Sequence, residues 1–192
     1  MIVGAILLAA GRSRRMGEDK LWADLGGRPL VDHALGAIRA AGLGGPIVAV
    51  APGSALPARL SGSEIAVEVA DHALGMGHSL AAAIRVAPAA WTAAVICLAD
   101  MPFVRPETLA ALAGRASAGA VLRPVFDGRP GNPLLWGRDH FPDLARLRGD
   151  RGGRDLLARR PAEWLECGDE GVLIDVDTPE ALDAARLRLT AI

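Results

Sequence analysis

Short apolar runs recur along the chain and alternate with longer, alanine-rich stretches. A short apolar run bounded by turn residues predicts a buried strand, and an alternating run predicts a strand with one exposed face. The predicted strands are 2–9, 46–51, 64–70, 93–99, 120–126 and 171–177. The predicted helices are 29–42, 78–87, 105–116 and 178–189. The last two begin with a proline and a glutamate, which suit the first turn of a helix.

The order of these elements predicts the fold class. Runs 2–9 and 93–99 are apolar on both faces, as expected of central strands in a parallel sheet that helices cover on both sides. Residues 64–70 alternate and are expected nearer an edge. Strand and helix alternate along the chain, which predicts an α/β protein with three layers: a Rossmann-like, open and mainly parallel sheet flanked by helices.

The size of the chain favours one domain. Its 192 residues, of which 51% are hydrophobic, are enough for one substantial core, so we expect a single domain over 1–192. The segment at about 127–170 is rich in Gly, Arg, Asp and Pro and breaks the alternation of strand and helix. We interpret it as an elaboration of the fold rather than another βα repeat.

Charge and cysteine usage exclude several classes of function. The net charge of −1 provides no field that would attract nucleic acid or an anionic membrane, so neither is expected as a partner. No apolar segment reaches the ~18 residues of a membrane span, and the first apolar run precedes its arginines, the reverse of a signal peptide. A cytoplasmic protein is expected. Cys97 and Cys167 lack metal-ligand or disulfide spacing, and Cys97 is interpreted as a core residue, with a catalytic thiol as the alternative.

Basic residues crowd the stretch "LAAGRSRRMGEDK" (8–20), which follows the first predicted strand. Gly11 and Gly17 allow tight turns that present backbone N–H groups to phosphate oxygens. The positive charges that can join them are Arg12, Arg14, Arg15 and Lys20. The stretch lacks the Walker A pattern and the G-x-G-x-x-G pattern. It predicts a polyphosphate-binding loop, and a basic surface turn is the alternative.

Carboxylates follow two of the predicted strands. Asp100 stands at the end of run 93–99, where ligands bind in open α/β sheets, and a carboxylate there suits Mg²⁺. Asp175 and Asp177 lie two apart in "IDVDTP", so strand geometry would point both to one face. These three are the predicted metal ligands. The alternative is helix capping, by Asp100 for the next helix and by Asp177 or Thr178 for the last one.

A third unusual stretch, "LGMGHSL" (74–80), predicts a glycine-rich turn that opens a helix. Free N–H groups there and the Ser79 hydroxyl can receive a ligand oxygen, although Ser79 is equally suited to be a simple N-cap. The phosphate loop and the carboxylates together indicate metal-dependent attack on a nucleoside triphosphate.

The opening stretch resembles the signature of nucleotidyltransferases that activate sugars, alditols and pterins, L-A-[AG]-G-x-[SG]-x-R-M-G-x-x-K, at every fixed position. Within that superfamily the chain is similar to the molybdenum cofactor cytidylyltransferase group. The stretches that carry this similarity are "GMGHSLAAAI", "LADMP", "GRPGNP", "LRGDRGGRDLL" and "IDVDTPEAL". The resemblance spans 2 to about 189, nearly the whole chain.

This resemblance implies a fold of the nucleotide-diphospho-sugar transferase type and the transfer of CMP from CTP to the phosphate of molybdopterin, with release of pyrophosphate. The implied catalytic residues are Arg15, Lys20 and Asp100. The implied nucleotide contacts are Leu8, Ala9, Ala10, Gly11, Arg12, Arg15, Lys20, Gly75, Gly77 and Ser79. The implied acceptor contacts are Asn132, Asp150 and Arg154. Mg²⁺ on Asp100, Asp177 and Asp175 is the implied cofactor, and the acceptor molybdoenzyme or its chaperone is a further implied partner.

Three positions bear on specificity. Related enzymes that transfer guanylate typically have a glycine where this chain has Ala10, so alanine favours cytidine. Asn132 stands where the family usually has histidine, which replaces a titratable ring by an amide. Met101 stands where glutamine is common, which we expect to alter a contact behind the metal carboxylate.

Other functions of the same fold are the alternatives. They are transfer from GTP, transfer to a sugar or alditol phosphate, and a nucleotide-binding chaperone without turnover. A dehydrogenase-type dinucleotide site is disfavoured, because the chain lacks the G-x-G-x-x-G turn with its ribose-binding acid.

Overall fold

Eight strands form one mixed sheet in the computed structural model, which describes residues 1–11, 20–149 and 152–190. The strands are β1 (Ile2–Ala9), β2 (Gly44–Val50), β3 (Ile65–Glu68), β4 (Trp91–Leu98), β5 (Val121–Phe126), β6 (Arg129–Pro130), β7 (Leu134–Gly137) and β8 (Glu163–Glu166). The helices are α1 (Leu30–Ala40), α2 (Met76–Arg85), α3 (Pro106–Gly114), α4 (Phe141–Leu144), α5 (Gly152–Arg159) and α6 (Pro179–Thr190). No helix in these ranges is long and apolar enough to cross a membrane.

The sheet has the order β3-β2-β1-β4-β7-β5-β6, and β8 pairs with β5. Strands β3, β2, β1 and β4 are mutually parallel, whereas β7 runs antiparallel between β4 and β5. The mainly parallel sheet and the edge position of β3 confirm the predictions from the apolar pattern. Because β1 and β4 are parallel neighbours, their carboxyl ends meet at the same edge of the sheet.

Helices cover both faces of the central strands. In β1, Leu7 packs into the core formed with α1 and α3, and Ile6 packs into the core formed with α2, α4 and α5. Both side chains are fully buried, so the prediction of strands that are apolar on both faces is confirmed. Cys97 lies in the first core, and burial raises the pKa of its thiol to about 12, which keeps it protonated and inert.

The segment 127–170 supplies β6, β7, α4, α5 and β8. The hairpin turn between β5 and β6 places Asp127 and Gly128 at positive φ, 50° and 69°. The chain then returns through β7, which inserts between β4 and β5. The sheet beyond β4 is therefore built from residues of this segment and from β5.

The predicted strand over 171–177 is wrong. Residues Glu170–Leu173 form a 3₁₀ turn, and the chain that follows does not join the sheet. The physical reason is local: the Asp169 carboxylate accepts a hydrogen bond from the N–H of Gly171 at 2.9 Å and so stabilises a turn. Later in the segment, the N–H of Val176 donates to the carbonyl of Asp100 at 2.9 Å. The segment crosses the ends of the strands rather than extending alongside one.

A buried histidine fixes the loop that leads from Lys20 into α1. His33 is 8% exposed, with Nε2 at 2.8 Å from the Leu25 carbonyl oxygen and Nδ1 at 3.1 Å from the Arg28 guanidinium. The arginine can only donate, so Nδ1 accepts and Nε2–H donates, which is the arrangement of a neutral ring. Burial, aided by the charge of Arg28, lowers the pKa of His33 below 6.5 despite the hydrogen bond to Leu25.

We expect this histidine to make the protein less stable in mild acid. Because the pKa of His33 is lower in the folded state, the unfolded chain binds the proton first, and the free energy of unfolding falls as the pH drops below about 6.5. In His33→Gln the amide keeps a donor and an acceptor without titrating. Urea unfolding at about pH 7.5 and about pH 5.5 measures the loss. The variant should lose less stability over this interval, and an equal loss would contradict the assignment.

Candidate active site

The carboxyl ends of β1 and β4 form the floor of the candidate site. The N–H of Ala99 donates to the carbonyl of Leu8 at 3.2 Å, which extends the strand pairing to the ends of both strands. Leu8, Ala9 and Ala10 are buried there, and Gly11 is exposed. The chain therefore leaves the sheet after Ala9 and reaches the surface at Gly11, in the predicted phosphate loop. The basic residues Arg12 and Arg15 lie outside the described residues.

Three of the predicted site residues meet beyond this edge. The Lys20 ammonium donates to Oδ2 of Asp100 at 2.7 Å and also to Oδ1 of Asp177. Asp100 lies two residues after the end of β4, and Asp177 is brought beside it by the hydrogen bond between Val176 N–H and the Asp100 carbonyl. One cation thus joins two carboxylates that lie 77 positions apart in the sequence.

The environment of Lys20 keeps it charged. Its side chain is nearly buried, and burial by itself lowers the pKa of a lysine, but the charges and hydrogen bonds of Asp100 and Asp177 outweigh that effect and raise the pKa of Lys20. Of the 21 lysine and arginine residues in the sequence, Lys20 is the only lysine. The presence of a single lysine is a signal in the sequence that singles out position 20.

The carboxylate pair fits a hard divalent cation. Oδ1 of Asp100 is buried and has no hydrogen-bond partner among the described residues, which is costly for a charged oxygen unless a cation takes it. A protein usually provides one or two carboxylates to Mg²⁺ when phosphate oxygens complete the coordination shell, so a pair is compatible with this cation. Within the described ranges, no group of three or more His, Cys, Asp or Glu side chains is arranged to hold a metal ion.

Asp175 stands apart from this pair. Its side chain is exposed, and Val176 beside it is buried in the small core between α1 and α6. Partial loss of hydration and the charge of Asp177 raise the pKa of Asp175. The strand geometry that would have placed it on one face with Asp177 is absent, because the segment is not a strand. Thr178 accepts a hydrogen bond from Ala181 N–H at 3.2 Å and caps α6, which leaves Asp177 to bind Lys20.

Asp169 was not recognised from the sequence. Its carboxylate is 3% exposed and accepts hydrogen bonds from Arg105 N–H at 2.9 Å, Thr108 Oγ1 at 2.7 Å and Gly171 N–H at 2.9 Å. It therefore fastens the segment that carries Asp177 to the first turn of α3, which follows the Asp100 loop. An aspartate two residues before a glycine is a common turn pattern, so the sequence held no signal for this long-range role.

The glycine-rich turn begins α2 two residues earlier than predicted. Gly75 precedes the helix with φ 129° and ψ 160°, a conformation that only glycine adopts readily. Ser79 lies inside the helix and is 4% exposed, and Gly75 takes the N-cap position without a side-chain cap. The alternative of Ser79 as an N-cap is therefore wrong.

Gly77 joins the turn to the segment that precedes α5. Its N–H donates to the carbonyl of Gly149 at 2.9 Å, and a Cβ at Gly77 would lie only 2.6 Å from that oxygen. Residues 74–80 and the "LRGDRGG" stretch, which the resemblance assigns to nucleotide and acceptor respectively, are thus in backbone contact.

The remaining predicted acceptor residues are more scattered. Asn132 is half-buried, and its N–H donates to the carbonyl of Val172 at 2.9 Å, which ties it to the segment that carries Asp177. Arg154 lies on α5 with an exposed side chain, and Asp150 lies outside the described residues. Met101 is 4% exposed and faces an apolar cavity, where it lies among Leu98, Val104, Leu109 and Pro133.

Comparison of the sequence with known protein families gives a match. The pattern of the MobA-like NTP transferase domain matches residues 5–164. The chain belongs to this family. The matched range contains Lys20 and Asp100 and ends before Asp177.

Relatives of this NTP transferase domain include proteins of different organisation. This chain is 32% identical to the purine catabolism protein PucB of Bacillus subtilis, over 94% of each of the two chains. It is 33% identical to the bifunctional protein GlmU of Pelobacter propionicus over 90% of this chain, but spans only 40% of that longer protein.

Solved structures confirm the Rossmann-like fold of the nucleotide-diphospho-sugar transferase type. Rv0371c from Mycobacterium tuberculosis matches with a TM-score of 0.85 at 28% identity, covering 97% of this chain and 98% of that one. A second structure of Rv0371c, in complex with manganese, matches with a TM-score of 0.83 at 27% identity, covering 97% of this chain and 99% of that one. Molybdopterin-guanine dinucleotide biosynthesis protein A from Archaeoglobus fulgidus shares the fold, with a TM-score of 0.70 at 19% identity, covering 98% of this chain and all of that one.

The close approach at Gly77 should make this position of the NTP transferase domain intolerant of a side chain. Gly77→Ala forces the start of α2 away from the Gly149 carbonyl and should cost about 1–3 kcal/mol of stability, as overpacking usually does. Gly153→Ala is the matched control, because nothing lies within 4 Å of a Cβ there and alanine favours the helix. Urea unfolding compares the two variants. Equal stability of both would show that the contact is not restrictive.

Proposed function

We propose that this protein is a cytidylyltransferase that transfers CMP from CTP to the phosphate of molybdopterin and releases pyrophosphate. The observation that carries the proposal is the cluster of Lys20, Asp100 and Asp177 at the carboxyl ends of β1 and β4, directly beyond the predicted phosphate loop. Membership of the NTP transferase family and the cytidylyl-type sequence motifs support it.

The reaction needs charge neutralisation more than acid–base catalysis. A phosphate oxygen of the acceptor attacks the α-phosphorus of CTP in line, and because this nucleophile is already an anion, no general base has to remove a proton. Arg15 and the backbone N–H groups that begin at Gly11 are proposed to bind the β- and γ-phosphates, with Arg12 as a further contact. Lys20 is proposed to bind the α-phosphate, where negative charge develops.

Mg²⁺ is the proposed cofactor, held by Asp100 and Asp177, with Asp175 as an outer candidate. The buried and unpartnered Oδ1 of Asp100 supports this assignment, and Rv0371c, a relative of the same fold, has been crystallised with manganese. When bound, the cation would neutralise phosphate charge. The protein's own part is to hold the two carboxylates at a fixed separation and to bind the triphosphate beside them.

The base and the acceptor are assigned to two adjoining sets of residues. Leu8, Ala9 and Ala10 at the end of β1, with Gly75, Gly77 and Ser79 at the start of α2, are proposed to form the cytidine side. Asn132, Asp150 and Arg154 are proposed to form the pterin side. The hydrogen bond between Gly77 and Gly149 supports a shared cleft, because it brings the two sets of segments together. A molybdoenzyme or its chaperone is the proposed recipient of the product.

We expect CTP to be preferred over GTP. Ala10 directly follows β1 at the proposed cytidine side, and its methyl group is proposed to narrow the space in which a purine would pass the backbone, where glycine would leave room. Discrimination by shape alone is worth ~1–3 kcal/mol, so GTP should be a poor donor and Ala10→Gly should relax the choice. Incubation with molybdopterin, Mg²⁺ and equimolar CTP and GTP, followed by mass analysis of the dinucleotide, measures this. A mainly guanylated product would refute the cytidylyl assignment and leave nucleotidyl transfer standing.

Asp100→Asn should abolish transfer without unfolding the protein. The variant keeps the shape of the side chain and removes the charge that a cation needs, so turnover should fall by a factor of at least ~100. Asp183→Asn is the matched control, because Asp183 is an exposed carboxylate of α6 that pairs only with Arg186 in the described structure. Turnover and thermal midpoint are measured together. An inactive Asp100→Asn with an unchanged midpoint supports the role, whereas normal turnover would make Asp100 a structural residue.

A further inference from the structure

The basic residue at the centre of the site is the only lysine in the sequence. All other basic side chains are arginines, including those that bind carboxylates elsewhere: Arg39 with Glu64, and Arg59 with Asp32. In these two pairs the planar guanidinium of the arginine donates to both oxygens of one carboxylate. Lys20 instead places a single nitrogen between oxygens of two different carboxylates. Position 20 therefore carries a compact ammonium group, whereas the carboxylates of Glu64 and Asp32 are bound by planar guanidinium groups.

The two carboxylates cannot move apart to relieve their repulsion. The Val176–Asp100 backbone hydrogen bond fixes their segments together, and Asp169 fastens the same segment to α3. Two negative charges held close at a partly buried site destabilise the fold unless a positive charge lies between them. Lys20 supplies that charge among the described residues.

A metal ion held by Asp100 and Asp177 would compete with the Lys20 ammonium, because both are cations attracted to the same two carboxylates. Magnesium binds its oxygen ligands at about 2.1 Å, so a cation held by both carboxylates would lie close to Nζ, which is 2.7 Å from Asp100 Oδ2, and repulsion between the two positive charges would favour release of the ammonium. Oδ1 of Asp100, which is buried and has no hydrogen-bond partner in the described residues, would gain a ligand when the cation binds. The four-carbon stem of lysine allows the ammonium to move away while its backbone stays in place.

We propose that Lys20 is an exchangeable internal cation. It holds the Asp100–Asp177 pair in the metal-free enzyme and is displaced when a divalent cation binds, which frees its ammonium for an anionic group of the nucleotide. This inference rests on the metal assignment in the proposed function. Its consequence is a coupling: the metal alone competes with Lys20 and binds weakly, whereas metal and triphosphate together satisfy both the carboxylates and the displaced ammonium.

The uniqueness of Lys20 makes it directly observable in the unaltered protein. Labelling with ¹⁵Nζ-lysine yields one side-chain signal, which should be visible without metal, because an ammonium held by two carboxylates exchanges its protons slowly. Titration with Mg²⁺ alone should weaken or remove that signal as the ammonium is released to water. A signal that persists unchanged once the metal site is saturated would overturn the proposal. No substitution is needed, so misfolding of a variant does not affect this result.

Variants test the competition itself through binding of Mn²⁺ alone, followed by electron paramagnetic resonance without nucleotide. Lys20→Met removes the competing charge and should tighten Mn²⁺ binding about tenfold or more, which corresponds to ~1.4 kcal/mol. Lys20→Arg keeps a cation that grips a carboxylate through two donors and should bind Mn²⁺ no better than the unaltered protein. Arg39→Met is the matched control, because it removes one positive charge far from the site and should leave the affinity unchanged.

Mn²⁺ affinity and turnover separate this proposal from the proposed function. Unchanged or weaker Mn²⁺ binding by folded Lys20→Met would overturn the exchange, even if the unaltered protein transfers CMP. Tighter binding by Lys20→Met, together with absence of transfer from any nucleoside triphosphate by the unaltered protein, would support the exchange and refute the cytidylyltransferase assignment alone. Asp100→Asn should bind Mn²⁺ more weakly than the unaltered protein, and equal binding would show that the measured metal lies elsewhere.

Discussion

The hydrogen bond from Val176 N–H to the Asp100 carbonyl is the contact on which the candidate site depends. It joins the loop after the central strand β4 to a segment near the end of the chain, and so places Asp177 beside Asp100. Two carboxylates in that position require a cation, and Lys20 provides it from the end of the predicted phosphate loop. One backbone contact thus determines both the charge of the site and its possible ligands.

Two further sets of contacts position the segments around this hydrogen bond. Gly77 admits the Gly149 carbonyl where a methyl group would clash, and the buried Asp169 joins α3 to the segment that carries Asp177. These contacts connect the turn at the start of α2 with the segment before α5, and α3 with the segment that carries Asp177. Backbone groups and the buried Asp169 carboxylate therefore position these segments, whereas Lys20, Asp100 and Asp177 carry the charge of the candidate site.

Periodicity and motif spacing predicted most of the fold and part of the site. The strands β1 to β5 and the helices α1, α2, α3 and α6 were found at the predicted places because each has a continuous local pattern. The run 171–177 has the same apolar character and is not a strand, since strand formation needs a neighbouring strand to pair with and a free path beside it. Burial of Val176 between α1 and α6 explains its apolar residues equally well. A short apolar run therefore indicates that a segment is buried, but it does not show whether the segment is a strand.

The sequence by itself determined the α/β class, the nucleotidyltransferase signature of the first loop and the residue types on which the proposed metal and phosphate contacts are based, because these depend on local patterns of polarity, glycine and charge. The tertiary structure alone decided which carboxylates meet. Asp175 and Asp177 occur in the same motif, yet only Asp177 contacts Lys20 in the described structure. Asp169 is buried and accepts hydrogen bonds that join its segment to α3. Such outcomes depend on contacts between segments more than 60 residues apart, whose register is set by packing of the whole sheet and its helices.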